Sequence, residues 1–359
     1  MIEDFLNKNR IIDKNNAADV QKYLFALDDK WPTYRHDLYA QIILHIGETY
    51  HQLGDTFKAI AFLEEYIEKY TELYQYDYSL KSIMYHHLGV YNSKVKQKDK
   101  TLEAFKKHVF YSLIDNKRYD NYEFYSFRTC SEYSLNDLSK NTLTVANPMK
   151  FNDPMDCLIY PWIENKRKEI LDTEDLFTAD LLMKAYSYIK IRCFVRNRPL
   201  PTQEIESPFP YTDVPEQYNL LMWGHYTNCH KGFCVKYQFP SDIVYEDTSL
   251  SNLTRLGNVQ YVDKVSIDSS LTLSDAFFKK SNVWNYENEV RLLHYDSSVE
   301  DDFKEIKLPD GCVKEIYFGL KCLDEDKQKI RKALTTQKVD FYQIESPAND
   351  FYKLSAKRV

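Results

Sequence analysis

Glu287, Glu289 and Arg291 stand at alternate positions late in the chain, with Trp284 and Tyr286 just upstream. On a strand, successive side chains point to opposite faces, so the two acids and the base would share one surface while Asn288, Val290 and Leu292 take the other. Carboxylates so placed can stabilise positive charge that develops in a transition state. They could instead gather a divalent cation with Asp153 while Lys279, Lys280 or Arg291 contacts phosphate, the arrangement of a metal-dependent nuclease. Trp284 and Tyr286 would pack beside them as an aromatic wall. A plainer reading is a solvated strand face with a cross-paired arginine.

Other residues could join such a site. Arg128 closes the run Phe124-Tyr125-Ser126-Phe127-Arg128, and its forked donors suit phosphate. His225, Tyr226 and Thr227, which follow Trp223, could shelter a planar ring. Asn152 and Asp153 before Pro154 read first as a turn, with the proline holding Asp153 extended. As functional residues, Asn152 would hydrogen-bond a ligand amide and Asp153 a hydroxyl or metal. His225, Cys229, His230 and Cys234 carry metal-ligating side chains, but their interleaved spacing matches no standard zinc arrangement, so no metal is assigned. A Cys–His nucleophile is open at Cys193, Cys229 or Cys234, but nothing in the sequence marks a thiol as activated, and a buried thiol is the plainer reading. With 8 glycines and neither G-x-G-x-x-G nor G-x-x-x-x-G-K-[ST], Rossmann and P-loop readings are set aside.

These residues need a scaffold, and the chain reads as α+β in two domains, 1–118 and 119–359. From Ile43 to Tyr66 apolar residues recur at helical spacing and break once, at Leu53-Gly54-Asp55, which gives helix, turn and helix. Gly47, Tyr50, Gly54 and Ala59 resemble the tetratricopeptide consensus, and Met84–Leu113 looks like a second copy around Gly89 and Ala104-Phe105. Ala17–Leu27 would add a capping helix. Such hairpins bury their apolar faces only by stacking on neighbours; a generic helical bundle is the alternative. Beyond a polar connection at Asp115–Tyr122, strand and helix signals mix. Residues 174–191 look helical, Arg198–Pro215 looks like a long loop, and Gly232–Phe239 alternates as a strand should.

Composition narrows the function. The formal net charge of −7 gives no general attraction for nucleic acid, while 30 Tyr and 20 Phe favour binding surfaces as well as cores. The acid-bearing N-terminus lacks the apolar core of a signal peptide, and no segment reaches the ~20 apolar residues of a membrane helix, so a cytoplasmic protein without a membrane contact is expected. Seven cysteines without a C-x-x-C pair fit reduced thiols.

Four segments resemble the prokaryotic family called domain of unknown function 2971: Asn147-Pro148 with Phe151-Asn152-Asp153-Pro154 and Asp156; Ile191-Arg192-Cys193-Phe194; Leu221 to Cys234, containing Met222-Trp223, Tyr226, His230 and Gly232; and Phe278-Lys279-Lys280 with Trp284, Tyr286-Glu287, Glu289 and Arg291. A strand at Ile316-Tyr317-Phe318-Gly319 fits as well, and the likeness spans roughly residues 124–335. The order Arg128, then Tyr226-Thr227, then Glu287 and Glu289 is also similar to that of ADP-ribosyltransferases. That likeness implies NAD as cofactor, Arg128 on its phosphates, His225, Tyr226, Thr227 and Trp284 about the nicotinamide, Glu289 on the ribose and Glu287 toward the acceptor macromolecule. It requires Arg128, Tyr226 and Glu289 to converge on one cleft. The expectation is an NAD-dependent transferase effector of antiphage or stress defence, whose helical repeats receive a protein partner. A metal-dependent nuclease and a non-catalytic nucleotide- or peptide-binding module remain the alternatives.

Overall fold

In the computed structural model, the structure describes residues 36–73, 77–114, 123–151, 156–196, 219–240, 245–246, 252–268, 270–348 and 353–359. The expected capping helix at Ala17–Leu27, the connection at Asp115–Tyr122, the loop at Arg198–Pro215, and Asn152 and Asp153 lie outside them. The chain divides into two compact units, one drawn from Met1–Ile114 and Lys166–Tyr186, the other from Asp115–Asn165 and Ser187–Val359.

The first unit is helical. Helices α1 (His36–Gln52) and α2 (Thr56–Leu73) form one hairpin, α3 (Tyr78–Lys94) and α4 (Lys98–Leu113) the next. Gly54, at φ +86°, takes the left-handed conformation that reverses the chain between α1 and α2. Gly89 lets α3 approach α4 so closely that an added Cβ would lie 2.4 Å from the Phe105 ring. Ile43, Leu63, Tyr70 and Met84 fill the core without measurable exposure.

Residues 166–186, expected in the second domain, count with these helices. The reason is specific pairing: Ser93 Oγ meets Thr178 Oγ1 at 2.7 Å in a buried contact, and Lys94 and Lys96 ion-pair with Glu174 and Asp175. Here too the rings of His86 and His108 lie 5.0 Å apart. Burial pushes His108 down to about 4 and His86 well below its ordinary value.

The second unit is built on one large sheet. In chain order its elements are β1 (Glu123–Arg128), α5 (Glu132–Lys140), β2 (Thr142–Ala146), a 3₁₀ turn (Pro148–Lys150), α6 (Ile159–Thr173), α7 (Leu176–Ser187), β3 (Ile189–Arg196), α8 (Leu220–Tyr226), β4 (Phe233–Gln238), β5 (Tyr245–Glu246), β6 (Asn252–Asn258), β7 (Gln260–Val262), α9 (Leu273–Phe278), β8 (Lys279–Ser281), a 3₁₀ turn (Asn282–Glu287), β9 (Glu289–Asp296), β10 (Phe303–Lys307), β11 (Val313–Phe318), α10 (Asp324–Ala333), β12 (Asp340–Glu345) and β13 (Ser355–Arg358). Of these, α6 runs across the unit boundary and α7 lies almost wholly in the helical unit.

The strands run β13-β12-β11-β4-β1-β3-β9-β6-β5, and β2 joins β3 on one side and β10 on the other. Every pairing in this sheet is antiparallel except β11 with β12. Both faces are covered. Phe124, Phe194, Tyr237, Val290 and Leu292 lie in one core; Tyr125, Phe127, Val195, Met222 and Trp223 lie in another. Since Tyr125 pairs with Val195 and Val195 with Glu289, those three share the second face. All eight residues of β9 are buried, so any charge on that strand must find a partner inside the protein.

Two stability tests follow from this packing. A Cβ on Gly232 would lie 2.1 Å from the backbone oxygen of Arg128; main chain cannot swing aside, so Gly232→Ala should lower the unfolding free energy of the sheet unit by about 3 kcal/mol, read from chemical denaturation. His108 has a depressed folded pKa, so its contribution is complete above the ordinary value of 6.5 and is lost as pH falls toward about 4. Thermal unfolding of His108→Phe should therefore show a smaller loss than wild type across that window.

Candidate functional site

The turn from α9 through β8 into β9 gathers the charged residues. Thr272 caps α9 with a full capping box, its side chain accepting from the Asp275 N–H while Asp275 accepts from the Thr272 N–H. Lys280 then projects from β8 into the unit, and the 3₁₀ turn Asn282–Glu287 brings the chain back to β9. Asn288 closes the turn in the left-handed region at φ 44°, a conformation asparagine tolerates better than most residues. Glu287 therefore belongs to the turn and Glu289 opens the strand, so the expected single strand carrying Glu287, Glu289 and Arg291 is corrected. The three still converge, because Lys280 stands between the acids.

Lys280 Nζ lies 2.5 Å from Glu287 Oε2, 3.2 Å from Glu289 Oε2 and 3.0 Å from Asp156 Oδ2. Arg291, with no exposure at all, donates through Nε to Glu289 Oε1 at 2.7 Å and through Nη2 to Glu289 Oε2 at 3.1 Å. Its Nη2 also reaches Asp156 Oδ1 at 2.5 Å, and Nη1 donates to the Phe277 carbonyl at 2.7 Å. This is a forked guanidinium with its donors engaged. Two cations thus face three carboxyl groups, which leaves one negative charge in excess when Glu287 is ionised.

The acids differ in state. Burial raises the pKa of Glu287 above the usual carboxylate range, with Lys280 and Tyr226 pulling the other way. For Glu289 burial works in the same direction but Arg291 and Lys280 outweigh it, and the group is held low. Asp156 is also held low, burial being overcome by Arg291 and Lys280. Lys280 is raised, since the three carboxylates outweigh its burial. Glu287 is accordingly the acid best placed to exchange a proton.

An aromatic rim adjoins Glu287. Tyr226, 39% exposed, donates its hydroxyl to Glu287 Oε1. His225 Nδ1 lies 2.9 Å from the Tyr286 hydroxyl. The Trp284 and Tyr286 rings are 5.9 Å apart, and Trp284 covers Lys280 Nζ at 5.2 Å. Burial pushes the Tyr286 phenol up to about 12. The residues that meet here are His225, Tyr226, Trp284, Tyr286, Glu287, Glu289 and Arg291.

Four expected site residues do something else. Arg128 is on the opposite face of the sheet: it shares the alternation of Phe124 and Ser126, whereas Glu289 aligns with Tyr125 and Val195. Its guanidinium is buried against Asp137 at 2.6 Å. The convergence of Arg128, Tyr226 and Glu289 on one cleft therefore fails. Trp223 is fully buried, edge-on to Phe127 at 5.3 Å. Thr227, equally buried, donates to the Trp223 carbonyl at 2.5 Å and accepts from the His230 N–H, which makes it part of a turn. Glu289 is too fully engaged by Arg291 and Lys280 to grip a ribose. As for the histidine–cysteine group, Cys234 is buried in β4 while Cys229 is exposed, and among the described residues no cluster of three His, Cys, Asp or Glu could hold a metal ion.

Two contributors were missed in the sequence. Asp156 follows Asn152-Asp153-Pro154 in the sequence, and the family likeness already marked its position. Tyr261, whose hydroxyl accepts from the Glu289 N–H at 2.8 Å, left no signal, because it reaches β9 from β7.

Residues 222–292 match the family described as protein of unknown function (DUF2971). The match contains Tyr226, Lys280, Glu287, Glu289 and Arg291, and leaves Asp156 and Arg128 outside it. No curated protein and no solved structure matches the chain. No helix among the described residues is long and apolar enough to cross a membrane.

Removing Lys280 from the matched segment would leave three carboxyl groups, two of them buried, to one guanidinium. Lys280→Met should destabilise the sheet unit by about 3–5 kcal/mol at neutral pH. Glu289 and Asp156 have depressed folded pKa values, so their ion pairing contributes fully above the ordinary carboxylate range and is lost as pH falls through the folded values. The gap between wild type and variant in urea midpoints should therefore narrow on acidification; a gap independent of pH would mean that the network contributes by shape alone.

Proposed function

We propose that the sheet unit is a non-catalytic module that binds a planar ligand carrying positive charge, that this ligand is NAD, and that Glu287 is the carboxyl group facing it. One arrangement carries the reading: a buried carboxylate with a raised pKa, touched by the exposed Tyr226 hydroxyl, beside Trp284, Tyr286 and His225. Aromatic faces attract cations, and the excess negative charge beneath them favours positive charge above. Nicotinamide in NAD is such a planar cation. Glu289, Arg291 and Asp156 fix Lys280 and the turn, so Glu287 is the acid left to meet the ligand. Arg128 has no part in this site.

A metal-dependent nuclease is less well supported, because the carboxylates that would hold Mg²⁺ are already engaged by Lys280 and Arg291. The ADP-ribosyltransferase likeness required Arg128, Tyr226 and Glu289 in one cleft and is dropped with that convergence; the favoured reading is a non-catalytic nucleotide-binding module on a repeat scaffold. Its tetratricopeptide-like hairpins receive a protein partner.

Titration with NAD should saturate at one site, and incubation with labelled NAD and cell extract should release no nicotinamide and label no macromolecule. Glu287→Gln should weaken NAD binding about tenfold. Released nicotinamide would overturn the non-catalytic reading; absence of binding would end the NAD assignment.

A further inference from the structure

The other face of β1 and β3 carries the opposite imbalance. Arg128, 7% exposed, donates through Nη2 to Asp137 Oδ2 at 2.6 Å, and its Nη1 is buried with no hydrogen-bond partner. Arg192, on the same face of β3, donates through Nη2 to Ser126 Oγ at 3.2 Å, and its Nε is likewise buried and unpartnered. Asp137 is shared, since its Oδ1 accepts from Thr144 Oγ1 at 2.6 Å. Among the described residues it is the carboxylate engaged by this pair. Burial and then the charge of Arg128 draw Arg192 down to about 10, and the Tyr237 phenol beside both is raised by burial while the two guanidiniums oppose the rise. A buried cation without a counter-charge is costly.

The sheet also splits here. β3 pairs with β1 at Val195 and Arg196 and with β2 at Ile191, so it changes neighbour between Ile191 and Val195. Arg192 stands at that change, with Ser126 and Arg128 on the β1 side and Thr144 on the β2 side.

We propose that this fork binds an oxyanion of the phosphate class, held by the free donors Nη1 of Arg128 and Nε of Arg192. Two guanidiniums present planar donor pairs that match phosphate oxygens, while Asp137 keeps Arg128 in place and leaves one positive charge for the ligand. The site is independent of the NAD reading, because it faces away from Glu287.

Calorimetric titration of the full chain with inorganic phosphate, at ionic strength matched with chloride, should saturate at one site. Arg192→Gln should weaken binding at least tenfold, and Asp137→Asn, which removes the competing carboxylate, should tighten it several-fold. If Arg192→Gln does not fold, Arg192→Lys, which keeps the charge and loses the fork, should still weaken binding. A parallel titration with adenosine monophosphate separates the sources: tenfold tighter binding than phosphate identifies the anion as part of a nucleotide, and equal binding identifies a free ion. No saturation in wild type, or equal affinity in the Arg192 variant, overturns the proposal. Phosphate binding that persists in Glu287→Gln, whatever that variant does with NAD, keeps this test separate from the previous one.

Discussion

Burial of β9 on both faces is the constraint from which the rest of the sheet unit follows. A strand so enclosed offers no water to Glu289 or Arg291, and an isolated buried charge costs several kcal/mol. The protein meets this by bringing Asp156 from the chain before α6 and Lys280 from β8 onto the same two residues. Each cation is thus held by groups distant in sequence, so the network forms only when the unit has folded. It ties the segment before α6, the β8 strand and the 3₁₀ turn to the middle of the sheet.

That constraint also divides labour between the two acids. Glu289 is deep and saturated; Glu287 sits one left-handed residue earlier, at the end of the turn, where a single lysine and a tyrosine hydroxyl meet it. The difference in pKa direction follows from this placement. Arg291 compensates Glu289 and does not reach Glu287, so burial dominates for Glu287 alone. A tightly paired acid thus stands next to a poorly compensated one, and perturbation of this kind marks the second as the group open to a ligand or a proton.

Sequence reasoning reached the helical hairpins, the strands at Phe124–Arg128 and Gly232–Phe239, and the convergence of Trp284, Tyr286, Glu287 and Arg291, because each rests on local periodicity or on neighbours in the chain. It placed Arg128 wrongly for a physical reason. Which face of a sheet a residue takes depends on register with strands far along the chain, and a period of two fixes that face only after one strand has been aligned. It also treated Glu287 as a strand residue, since the alternation of Glu287, Glu289 and Arg291 continues across a turn that only the φ of Asn288 reveals. The partnership of residues 166–186 with the helical unit had no local signature either, because it depends on Ser93, Lys94 and Lys96.

The displaced arginine changes how the central strands should be understood. Had Arg128 faced Glu289, it would have balanced the excess negative charge there and removed the electrostatic reason for a cationic ligand. Instead β1 and β3 send their guanidiniums to one face, while β9 and the turn before it hold three carboxylates to two cations on the other. A sheet a few ångströms thick thus separates a face short of positive charge from a face short of negative charge. In water these imbalances would be screened within about 10 Å at moderate salt, but buried groups are screened far less. Each face therefore has its own reason to bind a complementary charge, and the two reasons arise from one alternation of side chains along the same central strands.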